Sequence, residues 1–298
     1  MSKEEVLQKL SKDLELRGRS ESTIHEYCEK VQYFQDYYDK PADQMREPEI
    51  SNFLHYLYKG RGNLPTTVNT YNSALRFVYG ETLNIVLNVK KIPRMSQKRN
   101  LPQLYTREEC LKIIDSASNL RHKAMLMLAY GSGLRLSEVC HLKITDIESN
   151  QMRIFIRSGK GNRDRYAMLP HSTLEILREY WKMYRPKEWL FESPKQPGAF
   201  RTRALQDAFK TALKRSKIKK PGSLHTLRHC FATHLYEDGH NLLALKKLMG
   251  HIRIDTTAWY TQVAYSDILS LRSPLDNNLA EKYGNPRKTS VNGNNADD

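Results

Sequence analysis

Five short segments between Arg135 and Tyr260 of this 298-residue chain carry side chains suited to chemistry on an anionic group. They hold, in chain order, Arg135 with Glu138, Lys160, His225 with Arg228, His251, and Tyr260. Guanidinium and ammonium groups bind anionic oxygens, imidazole moves protons, and a tyrosine hydroxyl can act as a nucleophile. Each residue also has an ordinary explanation. Arg135 and Glu138 suit a surface ion pair, Lys160 suits a solvated turn, and a tyrosine often packs in a core.

The sequence lacks the motifs of several other enzyme classes. It has no GxxxxGK(S/T) phosphate loop, no GxGxxG after a strand, no HExxH and no GxSxG. His225 and His229 have the spacing to share a metal ion, but no carboxylate lies nearby in sequence to complete the ligand set. A structural or phosphate-contacting role is favoured for this pair, and we expect neither a metal nor a cofactor.

The charge of the chain favours a polyanionic partner. The chain carries 48 Lys and Arg against 33 Asp and Glu, a formal net charge of +15, and the excess lies in residues 51–100 and 151–250. Clustered positive charge is typical of proteins that bind nucleic acid. A solvated basic surface or attraction to anionic lipid would produce the same pattern, so charge alone leaves these alternatives open.

Composition argues against several protein classes. A content of 39% hydrophobic and 27% charged residues is ordinary for a soluble globular protein. The longest apolar run, residues 124–130, is far shorter than the roughly 20 residues of a membrane span, and the N-terminus lacks the apolar core of a secretory signal. The 4 cysteines lie far apart without a CxxC pair, which argues against a disulfide scaffold and predicts a reducing cytoplasm.

Hydrophobic periodicity divides the chain into a helical N-terminal part and a mixed C-terminal part. Residues 1–84 predict four amphipathic helices, and therefore a small helical domain. Residues 85–103 lose this periodicity and are rich in Lys and Arg, which predicts a basic linker. A second domain is predicted over residues 104–275, followed by a disordered tail at 276–298 that has no apolar face.

The second domain is predicted to be helices around a short β-hairpin. Alternating residues at 152–157 and 165–169 predict two strands, joined by a glycine-rich turn with Lys160 at its tip. Helices are predicted at residues 106–118, 121–130, 136–142, 171–184, 203–216, 225–237, 242–249 and 256–264. The predicted fold class is mainly α with a small β-hairpin or sheet.

The order of the polar segments resembles that of the tyrosine recombinase, or phage integrase, family. The similarity rests on GLRLSE at 133–138, SGKG at 158–161, HTLRHCFATHL at 225–235, LMGH at 248–251 and TTAWYT at 256–261. It extends over residues 2–272 and implies a SAM-like, core-binding N-terminal domain before the catalytic domain. Met249 stands where leucine is usual and Gln262 where histidine is common. The chain is most similar to the Xer and integron-integrase branches and to recombinases of mobile elements.

The resemblance implies a site-specific recombinase that breaks and reseals DNA without metal or ATP. Tyr260 would attack the phosphorus and form a 3′-phosphotyrosyl link, which conserves the bond energy for resealing. Arg135 and Arg228 would bind the two non-bridging oxygens, because a planar guanidinium suits such a pair of acceptors. His251 would donate a further hydrogen bond to the same group.

Three further roles follow only from the resemblance. Lys160 would be the general acid that protonates the leaving 5′ oxygen, and His225 would assist proton removal from the tyrosine. Glu138 would support the site by orienting Arg135 or His225.

The resemblance also implies partners and an assembly. The two domains would close around double-stranded DNA carrying specific recombination sites, and a homotetramer on two synapsed duplexes would exchange strands through a Holliday junction. The protein would be cytoplasmic, associated with the bacterial nucleoid and not with a membrane. The sequence does not identify accessory DNA-bending proteins.

Two alternatives to a recombinase stay open at this stage. A type IB topoisomerase would use the same residue types on one duplex without synapsis. A non-catalytic DNA-binding accessory protein would bind DNA without forming covalent adducts.

Overall fold

The structure, a computed structural model, describes residues 1–96, 103–159, 163–194 and 196–250. Its contacts divide the chain into two compact units, Met1–Asn100 and Leu101–Asp298, and each unit has its own hydrophobic core. The functional domain boundaries at residues 84, 103 and 275 stay predictions. Among the described helices, none combines the length and the apolar character that crossing a bilayer requires.

The N-terminal unit contains the four predicted helices. They are α1 (Lys3–Leu16), α2 (Glu21–Tyr38), α3 (Glu47–His55) and α4 (Pro65–Phe77). Ser2 and Ser20 cap the first two, because their hydroxyl oxygens accept hydrogen bonds from backbone N–H groups of the first turn. Helices α3 and α4 each end in a turn of π-helix, Tyr56–Gly60 and Val78–Thr82. Apolar side chains at helical spacing meet in the core, among them Val6, Leu10, Leu14, Val31, Phe34 and Leu75.

Residues 85–96, which the sequence assigns to the linker, pack on this N-terminal unit. Ile92 lies in the core with 1% of its surface exposed. Asn72 of α4 is buried and donates its side-chain amide to the carbonyl oxygen of Ile92 at 3.1 Å. Asn69 exchanges two hydrogen bonds with the backbone of Met95, each 2.9 Å long. Side chains of α4 hold the backbone of this segment in an irregular path. Such a path needs no helical or strand pattern of apolar residues, and the sequence shows none there.

The C-terminal unit is built around a central apolar helix. Its helices are α5 (Arg107–Asp115), α6 (Leu120–Gly131), α7 (Leu136–Cys140), α8 (His171–Tyr184), α9 (Thr202–Arg215), α10 (Leu224–Glu237) and α11 (Leu242–Met249). Helix α6 contacts α5, α7, α8, α9 and α10, which explains why apolar residues occur on every side of it. The helix predicted at 256–264 and the tail predicted at 276–298 lie outside the described residues.

A three-stranded antiparallel sheet flanks these helices, in the order β1 (Ile147–Glu148), β2 (Arg153–Gly159) and β3 (Arg163–Met168). The two long strands confirm the predicted hairpin. Strand β1 was not predicted, because two residues carry no periodicity. Ile154 pairs with Ala167, and Ile156 with Arg165. The side chains of Ile154, Ile156 and Ala167 are buried, so position 165 lies on the inward face of β3.

Candidate active site

The turn between α6 and α7 places Arg135 and Glu138 in direct contact. Arg135 is the residue before the first turn of α7, and its backbone N–H donates to Glu138 Oε2 at 2.8 Å. Its Nη1 donates to Glu138 Oε1 at 2.7 Å. The carboxylate therefore holds both the backbone and the side chain of Arg135, as expected for residues one helical turn apart.

Glu138 lies among three arginines, Arg135, Arg165 and Arg228, which we call the arginine cluster. Arg165 Nη1 and Nη2 donate to the two Glu138 oxygens at 2.8 Å each. Arg228 Nη1 lies 3.8 Å from Glu138 Oε2. Burial would raise the pKa of Glu138, but the hydrogen bonds and charges of Arg165 and Arg135 outweigh it and hold the pKa at about 2. The carboxylate is ionised at neutral pH, so three guanidinium charges and one carboxylate leave a net charge of +2.

The arginine cluster also binds the C-terminal end of α11. The last carbonyl groups of a helix lack partners within the helix and carry its negative partial charge, so cations are favourable there. Each arginine of the cluster donates to at least one of these carbonyls. The pairs are Arg165 Nε to Leu248 at 3.1 Å, Arg135 Nη2 to Met249 at 3.3 Å and to Gly250 at 3.2 Å, and Arg228 Nη2 to Met249 at 2.5 Å. The cluster thereby fixes the backbone immediately before His251.

Arg228 is the most buried member of the cluster. Only 2% of its surface is exposed, and besides Met249 it donates to the carbonyl oxygen of Gly133. Gly133 has a φ of +61°, and a Cβ there would lie 2.3 Å from the Phe231 ring. A glycine is therefore required at this turn, because both the backbone conformation and the available space exclude a side chain.

Gly133→Ala is expected to lower the free energy of unfolding by about 2–5 kcal/mol, from a positive φ and from overpacking against Phe231. Urea denaturation measures this loss. Gly239→Ala is the matched control, because Gly239 lies in the same unit with a φ of +86° and no atom within 4 Å of a Cβ. The control should lose only the part of the unfolding free energy that a positive φ costs a residue with a side chain. Equal losses in the two variants would mean that the Phe231 contact contributes nothing.

His225 lies in the first turn of α10 and His229 in the second, with Leu227 between them in sequence. Their ring centroids are 4.9 Å apart and the rings are nearly perpendicular, at 85°. His225 is exposed. Burial, and then the charges of His225 and Arg228, lower the pKa of His229 to about 4, so His229 is neutral at pH 7. Within the described residues, no group of three or more potential ligands is placed to hold a metal ion.

The structure brings together three of the predicted site residues, Arg135, Glu138 and Arg228. His225 shares helix α10 with Arg228. The other three lie outside the described residues: Lys160, His251 and Tyr260.

Sequence reasoning missed Arg165. Its side chain is 10% exposed and forms the two-pronged pair with Glu138. The signal that could have revealed it is a charged residue at an inward position of an alternating strand, since a buried charge requires a partner. The exposed neighbours Asp164 and Tyr166 occupy the outward positions.

Two family matches cover most of the chain. Residues 103–267 match the phage integrase family, and residues 6–88 match the phage integrase N-terminal SAM-like domain. A protein of Sinorhizobium fredii named as an integrase/recombinase is 35% identical over 272 residues, which is 90% of this chain and 88% of the relative. A tyrosine recombinase of Thermosipho africanus is 33% identical over 260 residues, covering 84% and 91%.

Solved structures show the same fold. A lambda integrase dimer bound to a core site matches with a TM-score of 0.71 at 20% identity, covering 88% of this chain and 96% of that one. The XerH recombinase bound to its difH substrate, in a post-cleavage complex, matches with a TM-score of 0.69 at 24% identity, covering 88% and 82%. Together with the sequence matches over both units, these similarities establish that the chain belongs to the phage integrase family of tyrosine recombinases.

Proposed function

We propose that this protein is a site-specific DNA recombinase that cuts and rejoins DNA through a 3′-phosphotyrosyl link at Tyr260. The observation that carries the proposal is the arginine cluster: guanidinium groups from the start of α7, from β3 and from α10 converge on Glu138, and together with it they carry a net charge of +2. Such preorganised cations stabilise the charge that develops on a phosphoryl group in its transition state. The similarity to relatives named integrase/recombinase over most of the chain supports the same conclusion.

The proposed cleavage step needs only residues of this chain. The Tyr260 oxygen bonds to phosphorus as its proton passes to His225, and the bond from phosphorus to the 5′ oxygen breaks as Lys160 protonates that oxygen. Arg135, Arg228 and His251 bind the non-bridging oxygens. Attack by a 5′ hydroxyl on the phosphotyrosine reverses the step and seals the strand, so neither ATP nor a metal ion is consumed or required.

Recombination by this chemistry requires two duplexes, and we propose a homotetramer that exchanges strands through a Holliday junction. A lambda integrase tetramer bound to a Holliday junction is among the structural neighbours, with a TM-score of 0.70. The partner is double-stranded DNA, gripped by the domains at residues 1–84 and 104–275 through the basic excess of the chain. We place the protein in the cytoplasm, at the nucleoid.

Covalent adduct formation tests this function. Full-length protein is incubated with nicked fragments of the DNA flanking its gene, in EDTA and without ATP, and denaturing electrophoresis then detects protein linked to DNA. A labelled adduct is expected, because the nick releases the strand that would reseal. Binding without an adduct would favour a non-catalytic accessory protein. Relaxation of a supercoiled plasmid that lacks the flanking DNA would favour a topoisomerase.

Lys160→Ala is expected to cleave ordinary DNA slowly and to recover on DNA with sulfur at the bridging 5′ position. In sequence, Lys160 directly follows β2, which ends at Gly159, and precedes β3, which begins at Arg163. An alkoxide leaves poorly without a proton, whereas a thiolate leaves unprotonated, so only oxygen needs a general acid. Single-turnover rates on the two substrates measure the recovery. A variant that stays slow on both would assign Lys160 to DNA positioning.

A further inference from the structure

A third arginine is joined to the two that the proposed function assigns to the phosphate. Arg165 of β3 donates to both oxygens of Glu138 and, through Nε, to the carbonyl oxygen of Leu248 at 3.1 Å. We propose that Arg165 is a positioning residue for DNA cleavage, which acts through Glu138 and the end of α11. This inference rests on the proposed function and adds a residue to its machinery.

Glu138 divides its two oxygens unequally between Arg165 and Arg135. A carboxylate favours a two-pronged pair with one guanidinium. Arg165 is that partner, while Arg135 contributes only Nη1 and keeps Nη2 at the end of α11. Without Arg165, the strongest arrangement left to the buried carboxylate is a two-pronged pair with Arg135, which would turn Nη2 away from its present position. Arg165 therefore maintains the orientation of Arg135.

Arg165 also supplies one of the three positive charges of the arginine cluster. Removing Arg165 would lower the net charge of the cluster and Glu138 from +2 to +1. A pentacoordinate phosphorane carries one more negative charge than the phosphodiester from which it forms, so the transition state loses more than the bound substrate does. The loss should therefore fall on the rate of cleavage within the complex rather than on affinity for DNA.

Arg165 also connects two segments of the C-terminal unit. It comes only a few residues after Lys160 in sequence, and its side chain contacts the end of α11, which precedes His251 in sequence. A Cβ on Gly250 would lie 2.8 Å from Arg165 Cδ, and Gly250 has a φ of +61°. Arg165 thus joins the base of the β2–β3 hairpin to the end of α11. In sequence, Lys160 comes directly after β2 and His251 directly after Gly250.

Single-turnover cleavage of the nicked DNA by saturating full-length protein tests this role. Arg165→Met should lower the rate of adduct formation by about 100-fold, the order of effect of a misplaced catalytic group, with Kd changed less than about threefold. Arg165→Lys should be intermediate, because lysine keeps the charge but cannot bridge Glu138 and Leu248. Arg153→Met is the matched control on the same hairpin. Arg153 pairs with Glu148 at 2.6 Å, and its loss should leave the rate within about twofold of the wild type.

The double variant Glu138→Gln with Arg165→Met separates positioning from a merely structural contribution. If Arg165 acts by engaging the Glu138 charge, neutralising that charge should make the double variant cleave faster than Arg165→Met alone, by about tenfold. The inference would be overturned if the rate losses of the two single variants simply multiplied in the double variant. It would also be overturned if Arg165→Met and Arg165→Lys both cleaved as fast as Arg153→Met. If circular dichroism shows that Arg165→Met does not fold, the cleavage rate of Arg165→Lys is compared with that of Arg153→Met instead. A wild type that forms no adduct would instead refute the proposed function.

Discussion

Tyr260→Phe is expected to form no covalent adduct with nicked DNA under conditions in which the wild type converts most of the substrate. The substitution removes one oxygen atom, which is the only group able to form the phosphotyrosyl bond. Since phenylalanine retains the aromatic ring, the Kd for DNA should change less than about threefold. Denaturing electrophoresis of labelled DNA measures the adduct, and a mobility shift in native gels measures binding.

Two tyrosines close to Tyr260 in sequence provide the controls for this experiment. Tyr265→Phe and Tyr283→Phe lose the same atom and should form the adduct at the wild-type rate. Mass spectrometry of the DNA-linked peptide should identify residue 260. An adduct that persists in Tyr260→Phe, or that maps to Tyr265 or Tyr283, would contradict the assignment of the nucleophile.

Arg228→Ala is expected to lower the cleavage rate within the DNA complex by about 10²–10³-fold, the usual cost of one lost transition-state donor. It should also lower the free energy of unfolding by about 1–3 kcal/mol, because the buried carbonyls of Gly133 and Met249 lose their donor. Single-turnover cleavage and urea denaturation measure the two effects. Affinity for DNA should fall much less than the rate, because many basic residues share contacts with phosphates.

Two further variants separate these two effects. Arg228→Lys keeps the charge but cannot reach both carbonyls, so it should regain part of the stability and little of the rate. Arg178→Ala removes an exposed arginine from α8 and should change neither quantity measurably. The proposed role would be wrong if Arg228→Ala bound DNA very weakly at low protein concentration but cleaved at the wild-type rate once a high concentration saturated the DNA. Arg228 would then be an affinity residue.

Local patterns predicted the helices and the nearest contact of the site. Apolar residues at helical spacing mark α1 and α2 in the sequence, and several of them are buried in the structure. The contact between Arg135 and Glu138 could be predicted for the same reason, because residues three apart meet on one helical turn. Each of these features depends on interactions within one element.

Contacts between distant segments could not be read from the sequence in this way. Arg228 reaches the carbonyl of Gly133 across 95 positions, and nothing local marks that glycine as its acceptor. Arg165 reaches Glu138 across 27 positions, because β3 and α7 pack together only in the folded unit. Residues 85–96 likewise take their path from Asn69 and Asn72 of α4. In each case a polar side chain satisfies a distant backbone or carboxylate group, which leaves no periodic trace.

The low pKa of Glu138 makes the arginine cluster insensitive to acidity. A carboxyl whose pKa is lowered on folding stabilises the fold at pH values above its unfolded pKa of about 4.3. That contribution is lost only as the pH falls through the folded value of about 2. At neutral pH Glu138 therefore keeps its negative charge. A bend in the pH–rate profile of cleavage near neutral pH would therefore report proton transfer at groups other than Glu138.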